Sequence, residues 1–351
     1  MAGGRATVRD VARRAGVSTA TVSRTVTGTA HVSAETLDRV RTAIAELDFH
    51  PSAAARDLRR RRTGNIGLVT PSIVNPFFPE LVAGVHAEVS RRGWSLLVVD
   101  SDDPEREAAR VAGSRLVDGV LLVASEHSAR RVPGPPGPVP VVAFDRAPAP
   151  AATAVQCDNV AGAAAVVEHL IGLGHVRIAH LAGPRGLDVA EQRAERYRRA
   201  LAAHGVPLDG RLVRGGVFTE DSGHALTAGL LADGVRPTAV FAANDVMAVG
   251  AIAALRDHGL RVPADVSVAG FDGIHLGRYL QPPLTTYAQP VTAIARHAVD
   301  LLLDAVESAP PAGRTRRAPV RTHRLPGALV VRGSTAAAPA RTPPPPPRPE
   351  G

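Results

Sequence analysis

Thr7-Val-Arg-Asp-Val-Ala-Arg-Arg-Ala-Gly-Val-Ser-Thr-Ala-Thr-Val-Ser-Arg24 decides the character of the N-terminal part of this chain. It reads as two short helices joined by a tight turn. Thr7 is placed to cap the first helix, and Asp10, three residues on, completes a capping box. Val8, Val11, Ala12 and Ala15 recur at helical spacing and form one apolar stripe. Gly16 suits the left-handed conformation that closes a helix, and Ser18 can cap the next one. Val22 and Val26 of that second helix point back to the first, while Thr19, Ala20, Ser23 and Arg24 form its outer face. A slim face with one guanidinium is what a helix in the DNA major groove needs, because Arg forks onto guanine. Taken alone, the same residues also fit an ordinary helical hairpin with a solvated polar face.

Moving outward, Ser33 can cap a third helix whose Leu37, Val40, Ile44 and Leu47 would close a three-helix core. His50-Pro51 stops it. Ser52 to Leu58 allows only about two turns of helix, which is marginal without a partner. Arg59 to Arg62 follow as a run of four cations. One reading is a plain basic linker. The other is a hinge helix that folds on DNA and wedges Leu58 into a minor-groove step.

From Gly64 the pattern changes to alternating strands and helices. Expected strands are Asn65 to Thr70, Leu96 to Val99, Gly119 to Val123 and Val139 to Ala143, with helices from Leu81 to Arg91 and from Pro104 to Leu116. The pattern restarts near Val160 with strands around Arg177 to Leu181, Val213, Ala239 to Ala242 and Val266 to Ala269. Helices are expected between them, then a late helix from Ala293 to Glu307 and a last strand from Ala328 to Val331. Strand runs without alternation imply sheets covered on both faces, hence parallel and doubly wound. The expected fold is an all-α headpiece with a hinge helix, followed by an α/β core of two doubly wound parallel-sheet subdomains.

The boundaries that follow are 1–49 for the headpiece, 50–62 for hinge and linker, and 63–334 for the core. Within the core, a first lobe takes 63–158 plus 289–322 and a second takes 159–288 plus 323–334; the Ala- and Pro-rich residues 335–351 are expected to be disordered. The chain has 351 residues, 41 basic and 33 acidic, so an anionic partner is plausible. Every basic residue is Arg and none is Lys, which resembles GC-rich coding bias and weakens that argument. The single cysteine, Cys157, allows no internal disulfide and fits a reducing compartment. The N-terminus has no apolar signal core and no apolar run is long enough for a bilayer, so a cytoplasmic, nucleoid-associated protein without membrane partner is expected.

Thr7 to Arg24, Val32-Ser33, His50-Pro51 through Leu58, Asn75-Pro-Phe-Phe78, Asp145-Arg146, Asp158-Asn159, Leu173-Gly-His175, Asn244-Asp245, Gly270-Phe-Asp272 and Pro283-Leu-Thr-Thr286 occur in an order that resembles LacI/GalR-type transcriptional repressors. The resemblance runs from about Thr7 to Arg332. It implies a DNA-binding headpiece, a hinge helix, an effector core built like periplasmic sugar-binding proteins, and a homodimer on a pseudo-palindromic operator. It places Thr19, Ala20 and Arg24 at base edges and Ser18, Thr21 and Ser23 at phosphates. It adds Thr7, His31 and Ser52 to the DNA-facing set, and puts Ala55 and Leu58 in the minor groove at the operator centre. Thr25 and Thr27 depart from the Val and Asn that the family usually carries, and the helix after Pro104 is a few residues short of its usual length.

For the cleft between the lobes, strand-end positions nominate Phe77, Asp145, Arg146, Arg193, Phe218, Asn244, Asp245, Asp272 and Gln289 as effector ligands. Carboxylates and amides take hydroxyls in pairs, Arg forks across vicinal oxygens and aromatics cover an apolar sugar face. The resemblance itself places Phe77, Asp145, Arg193, Phe218 and Asp272 in the effector pocket. Competing readings stand beside these. Asp145-Arg146 can be a surface pair, Asn244-Asp245 can simply cap the helix that follows, and Phe78 reads as core. No enzyme constellation, metal or cofactor is expected: His169 and His175 lack two-His helical spacing, Cys157 lacks an evident base, and Thr70-Pro-Ser-Ile-Val has no phosphate-cradling glycines. The expected function is a ligand-responsive repressor released by a sugar-like effector. The alternatives are co-repression by a nucleobase, nucleoside or phosphorylated metabolite, and a sugar-binding or sugar-modifying protein without DNA.

Overall fold

The structure, a computed structural model, describes residues 6–27, 32–49, 62–124, 139–146, 153–308 and 321–339, and elements are numbered over these. His31, Ser52, Ala55 and Leu58, and with them the expected hinge helix, lie outside the described residues. The chain divides into two units, Met1–Thr63 and Gly64–Gly351.

The first unit holds α1 (Val8–Ala15), α2 (Thr19–Thr27) and α3 (Ala34–Glu46). Thr7 N and Oγ1 both donate to Asp10 Oδ2, at 3.0 and 2.6 Å. Gly16 closes α1 at φ +61°, and Val17 N returns to Ala12 O at 3.0 Å. Ser18 Oγ then accepts from Thr21 N at 3.0 Å, capping α2. Val11, Ala12, Ala15, Val22, Val40 and Ala43 form the small core. Two contributors carried no periodic signal. Phe49 follows α3, hydrogen-bonds back to Ile44 O and is buried. Arg39 Nε donates to Ala15 O at 3.1 Å and its Nη2 to Gly16 O at 3.0 Å, bracing the turn between α1 and α2.

The second unit carries two six-stranded sheets. The first comprises β1 (Asn65–Thr70), β2 (Ser95–Asp100), β3 (Gly119–Leu122), β4 (Val141–Phe144), β5 (Thr153–Cys157) and β11 (Thr322–Leu325), in the order β11-β5-β4-β3-β1-β2, all parallel. Helices α4 (Phe77–Arg91) and α10 (Val291–Ser308) cover one face, and α5 (Pro104–Gly113) the other. The second comprises β6 (Ile178–Ala182), β7 (Val213–Gly215), β8 (Ala239–Ala242), β9 (Ser267–Asp272), β10 (Thr285–Ala288) and β12 (Ala328–Val330), in the order β12-β10-β9-β8-β6-β7. Only β12 runs antiparallel to its neighbour. Helices α6 (Asn159–Gly172) and α7 (Asp188–Ala203) cover one face, α8 (Glu220–Ala232) and α9 (Asp245–Asp257) the other. The doubly wound reading of both lobes holds.

Four details correct the sequence reading. Strands β5, β10 and β11 form where the sequence pattern assigns no strand. Residues 323–325, assigned to the second lobe, pair with β5 in the first sheet, so the last crossover follows Leu325. Strand β2 is an edge, and its Leu97 and Val98 are 39% and 40% exposed rather than covered on both sides. Residues 335–339, expected to be disordered, are docked on the second lobe: Thr335 Oγ1 meets His169 Nε2, Ala336 O meets His175 Nε2, and Ala338 N donates to Leu173 O.

Candidate functional site

The crossovers between the lobes bring the carboxyl ends of both sheets to one cleft, which is where open α/β sheets bind ligands. Asn75 and Phe77 follow β1, Asp145 and Arg146 follow β4, Asn244 follows β8, Asp272 ends β9 and Gln289 follows β10. With Val189 and Arg193 from α7, and Phe218, they line one small cavity that opens to solvent. Eight of the nine nominated residues are thus gathered here. Asn75 and Val189 were not nominated as ligands. Asn75 lay in a quoted motif, whereas Val189 reads as an ordinary apolar helix position.

The ninth, Asp245, does not line the cavity. Its side chain is wholly buried behind it: Oδ2 accepts from Gly273 N at 2.7 Å and Ile274 N at 2.9 Å, and Oδ1 from Thr286 Oγ1 at 2.6 Å. A short carboxylate at the start of α9 faces the turn after β9 instead of the cleft. Asn244 does both jobs, since Met247 N donates to its Oδ1 at 3.0 Å while the residue also lines the cavity.

Two guanidiniums and two carboxylates set the electrostatics. Arg193 is 3% exposed, and its Nε donates to Asn159 Oδ1 at 2.9 Å and its Nη1 to Ala243 O at 2.7 Å. Its guanidinium carbon lies 3.7 Å from the Phe271 ring centre. Arg146 Nε stands 3.6 Å from Asp145 Oδ2, and its guanidinium lies between Phe78 and Phe218, 5.1 and 5.2 Å from their centroids. Asp145-Arg146 is therefore a buried pair, not a surface one. Burial pushes the Asp272 carboxyl up to about 7, opposed by Arg193, and pushes Asp145 up, opposed by Arg146 and Arg193. Burial also lowers the Arg193 guanidinium. Gln289 Nε2 donates to Asp272 Oδ1 at 2.8 Å, while its buried Oε1 has no hydrogen-bond partner among the described residues.

Asp145 and Asp272 adopt positive φ, +59° and +123°, which is uncommon for residues with a Cβ and concentrates at ligand sites. Gly183 makes room for Phe218: a Cβ there would occupy the space of its ring. Among the described residues no group of three or more His, Cys, Asp or Glu could hold a metal. His169 and His175 serve the docked segment after β12, and buried Cys157 has its thiol pushed up to about 12 by desolvation.

In the first unit Thr19, Ala20 and Arg24 are exposed on α2, and Ser23 is half-buried. Ser18 Oγ and Thr21 Oγ1 lie 2.9 Å apart, so both hydroxyls share the cap. The Thr7 hydroxyl is committed to Asp10.

Residues 7–52 match the profile described as bacterial regulatory proteins, lacI family, and residues 167–335 one described as a periplasmic binding protein-like domain. The ribose operon repressor of Halalkalibacterium halodurans is 36% identical over 339 residues, covering 94% of this chain and 97% of its own length. The chain belongs to the lacI family. This lacI-family regulator is also 34% identical to the HTH-type transcriptional repressor PurR of Haemophilus influenzae strain PittEE, over 86% of this chain and 91% of that protein. It superposes on a lac repressor dimer bound to operator and the anti-inducer ONPF with a TM-score of 0.83, at 31% identity, covering 95% of this chain and all of that one. The curated relatives named here are transcriptional repressors, not enzymes. No helix among the described residues of the regulator is long and apolar enough to cross a membrane.

Proposed function

We propose that this lacI-family protein is a repressor that binds a pseudo-palindromic operator as a homodimer and is released by a small neutral sugar of the pentose class held between its lobes. One observation carries the effector reading. The cavity presents two carboxyls, two guanidiniums and three amides, and Gln289 Oε1 lacks a donor among the described residues. A polyhydroxylated ring supplies such donors and acceptors in adjacent pairs, while Phe77 and Phe218 cover its apolar face. The relative named as a ribose operon repressor supports the same class.

On the DNA side, Arg24 is the guanine fork, Ala20 meets a thymine methyl, and Ser18, Thr21 and Ser23 contact phosphates. His31 of the headpiece and Ser52, Ala55 and Leu58 of the expected hinge complete the contacts. Effector and operator affinities are then reciprocally coupled, typically by about 1–3 kcal/mol. A second reading, co-repression by a nucleobase, draws on the relative named PurR and on the two aromatic faces in the cavity. Titration calorimetry of the full chain with D-ribose, D-glucose, a disaccharide and adenine separates them. Saturable heat with ribose is expected; binding of adenine alone replaces induction by co-repression, and no heat with any sugar removes the effector class.

A further inference from the structure

We infer that Asp245 is a positioning residue of the cleft: its buried carboxylate fixes the turn Asp272–His275, which presents Asp272 to the effector and joins the two lobes through Glu80. The inference rests on reading the cavity as the effector site.

Three donors converge on Asp245, and two of them, Gly273 N and Ile274 N, are consecutive backbone groups of that turn. The third, Thr286 Oγ1, lies on neighbouring strand β10, so strand and turn are tied to one side chain. Both backbone amides reach the same oxygen, Oδ2, which accepts them whether or not Oδ1, facing the Thr286 hydroxyl, carries a proton. The backbone has been cleared for it. Gly270 lies where a Cβ would overlap Asp245 Oδ1, so β9 passes against the carboxylate only because that residue is glycine. Gly273, at φ +80°, follows Asp272 at φ +123°, and a Cβ on Gly273 would approach that of Ala288 to 2.6 Å. A backbone held in this region persists where its surroundings over-determine it, and Asp245 supplies that constraint.

The turn has two working faces. At its start, Asp272 Oδ1 receives Gln289 Nε2 and stands 3.6 Å from Arg193 Nη1, inside the cavity. At its end, His275 N donates to Glu80 Oε1 at 2.7 Å. Glu80 belongs to α4, on the first lobe, and His275 to the second. Only Gly273 and Ile274 therefore separate an effector contact from a direct lobe-to-lobe hydrogen bond, and Asp245 holds both of them.

Hydrogen–deuterium exchange of the full chain without ligand tests the anchoring, and calorimetry with D-ribose tests its consequence. Asp245→Ala should raise exchange in 273–275, with the rest of the second lobe unchanged, and weaken ribose by about 30-fold, the scale of a contact displaced by its missing support. Asp245→Asn keeps an acceptor for both amides and should restore protection and bring affinity to within about threefold. Glu80→Ala, on a half-buried side chain, should free the His275 amide alone and weaken ribose by about three- to tenfold. Unchanged exchange at 273–275 in Asp245→Ala, or loosening spread over the whole lobe without rescue by Asn, overturns the positioning role. Unchanged exchange at His275 and unchanged affinity in Glu80→Ala overturn the link between lobes. A native chain that does not bind ribose sinks the sugar reading instead, and the exchange data still decide the anchoring.

Discussion

Arg193 Nη1 stands 3.6 Å from Asp272 Oδ1, yet the guanidinium makes its close hydrogen bonds elsewhere, to Ala243 O at 2.7 Å and Asn159 Oδ1 at 2.9 Å. Two neutral acceptors hold the fork in place, and the carboxylate is left at a distance that a ligand hydroxyl can share. A planar guanidinium spans these partners, and an ammonium cannot. Arg193→Lys, which keeps the charge, should weaken effector binding by about 100-fold while operator binding persists. Calorimetry beside a gel shift checks both halves; full effector affinity in the Lys variant would show that charge alone suffices.

Phe218 is seated by the absence of a side chain at Gly183. Gly183→Ala displaces the ring from beneath Arg146 and out of the cavity wall. Effector affinity should drop by about tenfold or more, since one apolar face of the site is lost. Tm should change far less than affinity. Equal affinity in the Ala variant would remove Phe218 from the site.

Asp272 and Asp245 are pushed up by burial to about 7 and about 8 from 3.8. The folded chain thus binds protons more tightly at these groups than the unfolded chain, so their stabilising contribution is complete below about pH 4 and is lost as pH rises through 7 to 8. His180 has the opposite sign. Stacked between Tyr197 and Phe241, with Nδ1 bonded to Phe241 O and Nε2 without a partner among the described residues, it is lowered to about 4 by burial. Its contribution is lost as pH falls from 6.5 through 4. The opposed terms share the window from about 4 to 6.5, where the two carboxyls outweigh the one imidazole, so melting temperature should fall as pH rises from about 4 to 8. Asp272→Asn should make that fall shallower and His180→Phe should make it steeper; an unchanged slope in either variant contradicts the assignment.

The first unit has few large side chains in its core, and Phe49 is one of them, 6% exposed. Phe49→Ala should cost about 3–5 kcal/mol, most of what so small a unit has. Operator binding should disappear while the effector core melts unchanged. Calorimetric scanning with a gel shift reads both, and retained DNA binding would show that Phe49 is dispensable.

How far the sequence could be read follows from where each signal is stored. The α1–α2 turn is written locally, in Thr7, Asp10, Gly16 and Ser18, and each of these does what its chemistry suggested. Strands with long Val and Leu runs were equally plain. Strand β10, Thr285–Ala288, sits between prolines with two threonines, and β11 is an edge strand of alternating exposure, so neither carries an apolar sequence run that marks it off from a loop. Arg39 and Phe49 act across the fold, on partners that helical periodicity does not reveal. In the cleft, the family resemblance, with residue type and strand-end position beside it, located eight of nine nominated side chains at the cavity. Asp245 failed because the same carboxylate serves a ligand or a backbone turn equally well, and only its three donors tell which.

The central claim is that the cleft governs the DNA-reading unit. Fluorescence anisotropy of a labelled duplex spanning the region upstream of the protein's own coding sequence, with the full chain and rising D-ribose, tests it most directly. The expected result is tight binding without sugar and release at saturating ribose, with Arg193→Lys bound but insensitive to the sugar. Binding that ribose leaves unchanged or tightens, when ribose is known to occupy the cleft, would contradict it.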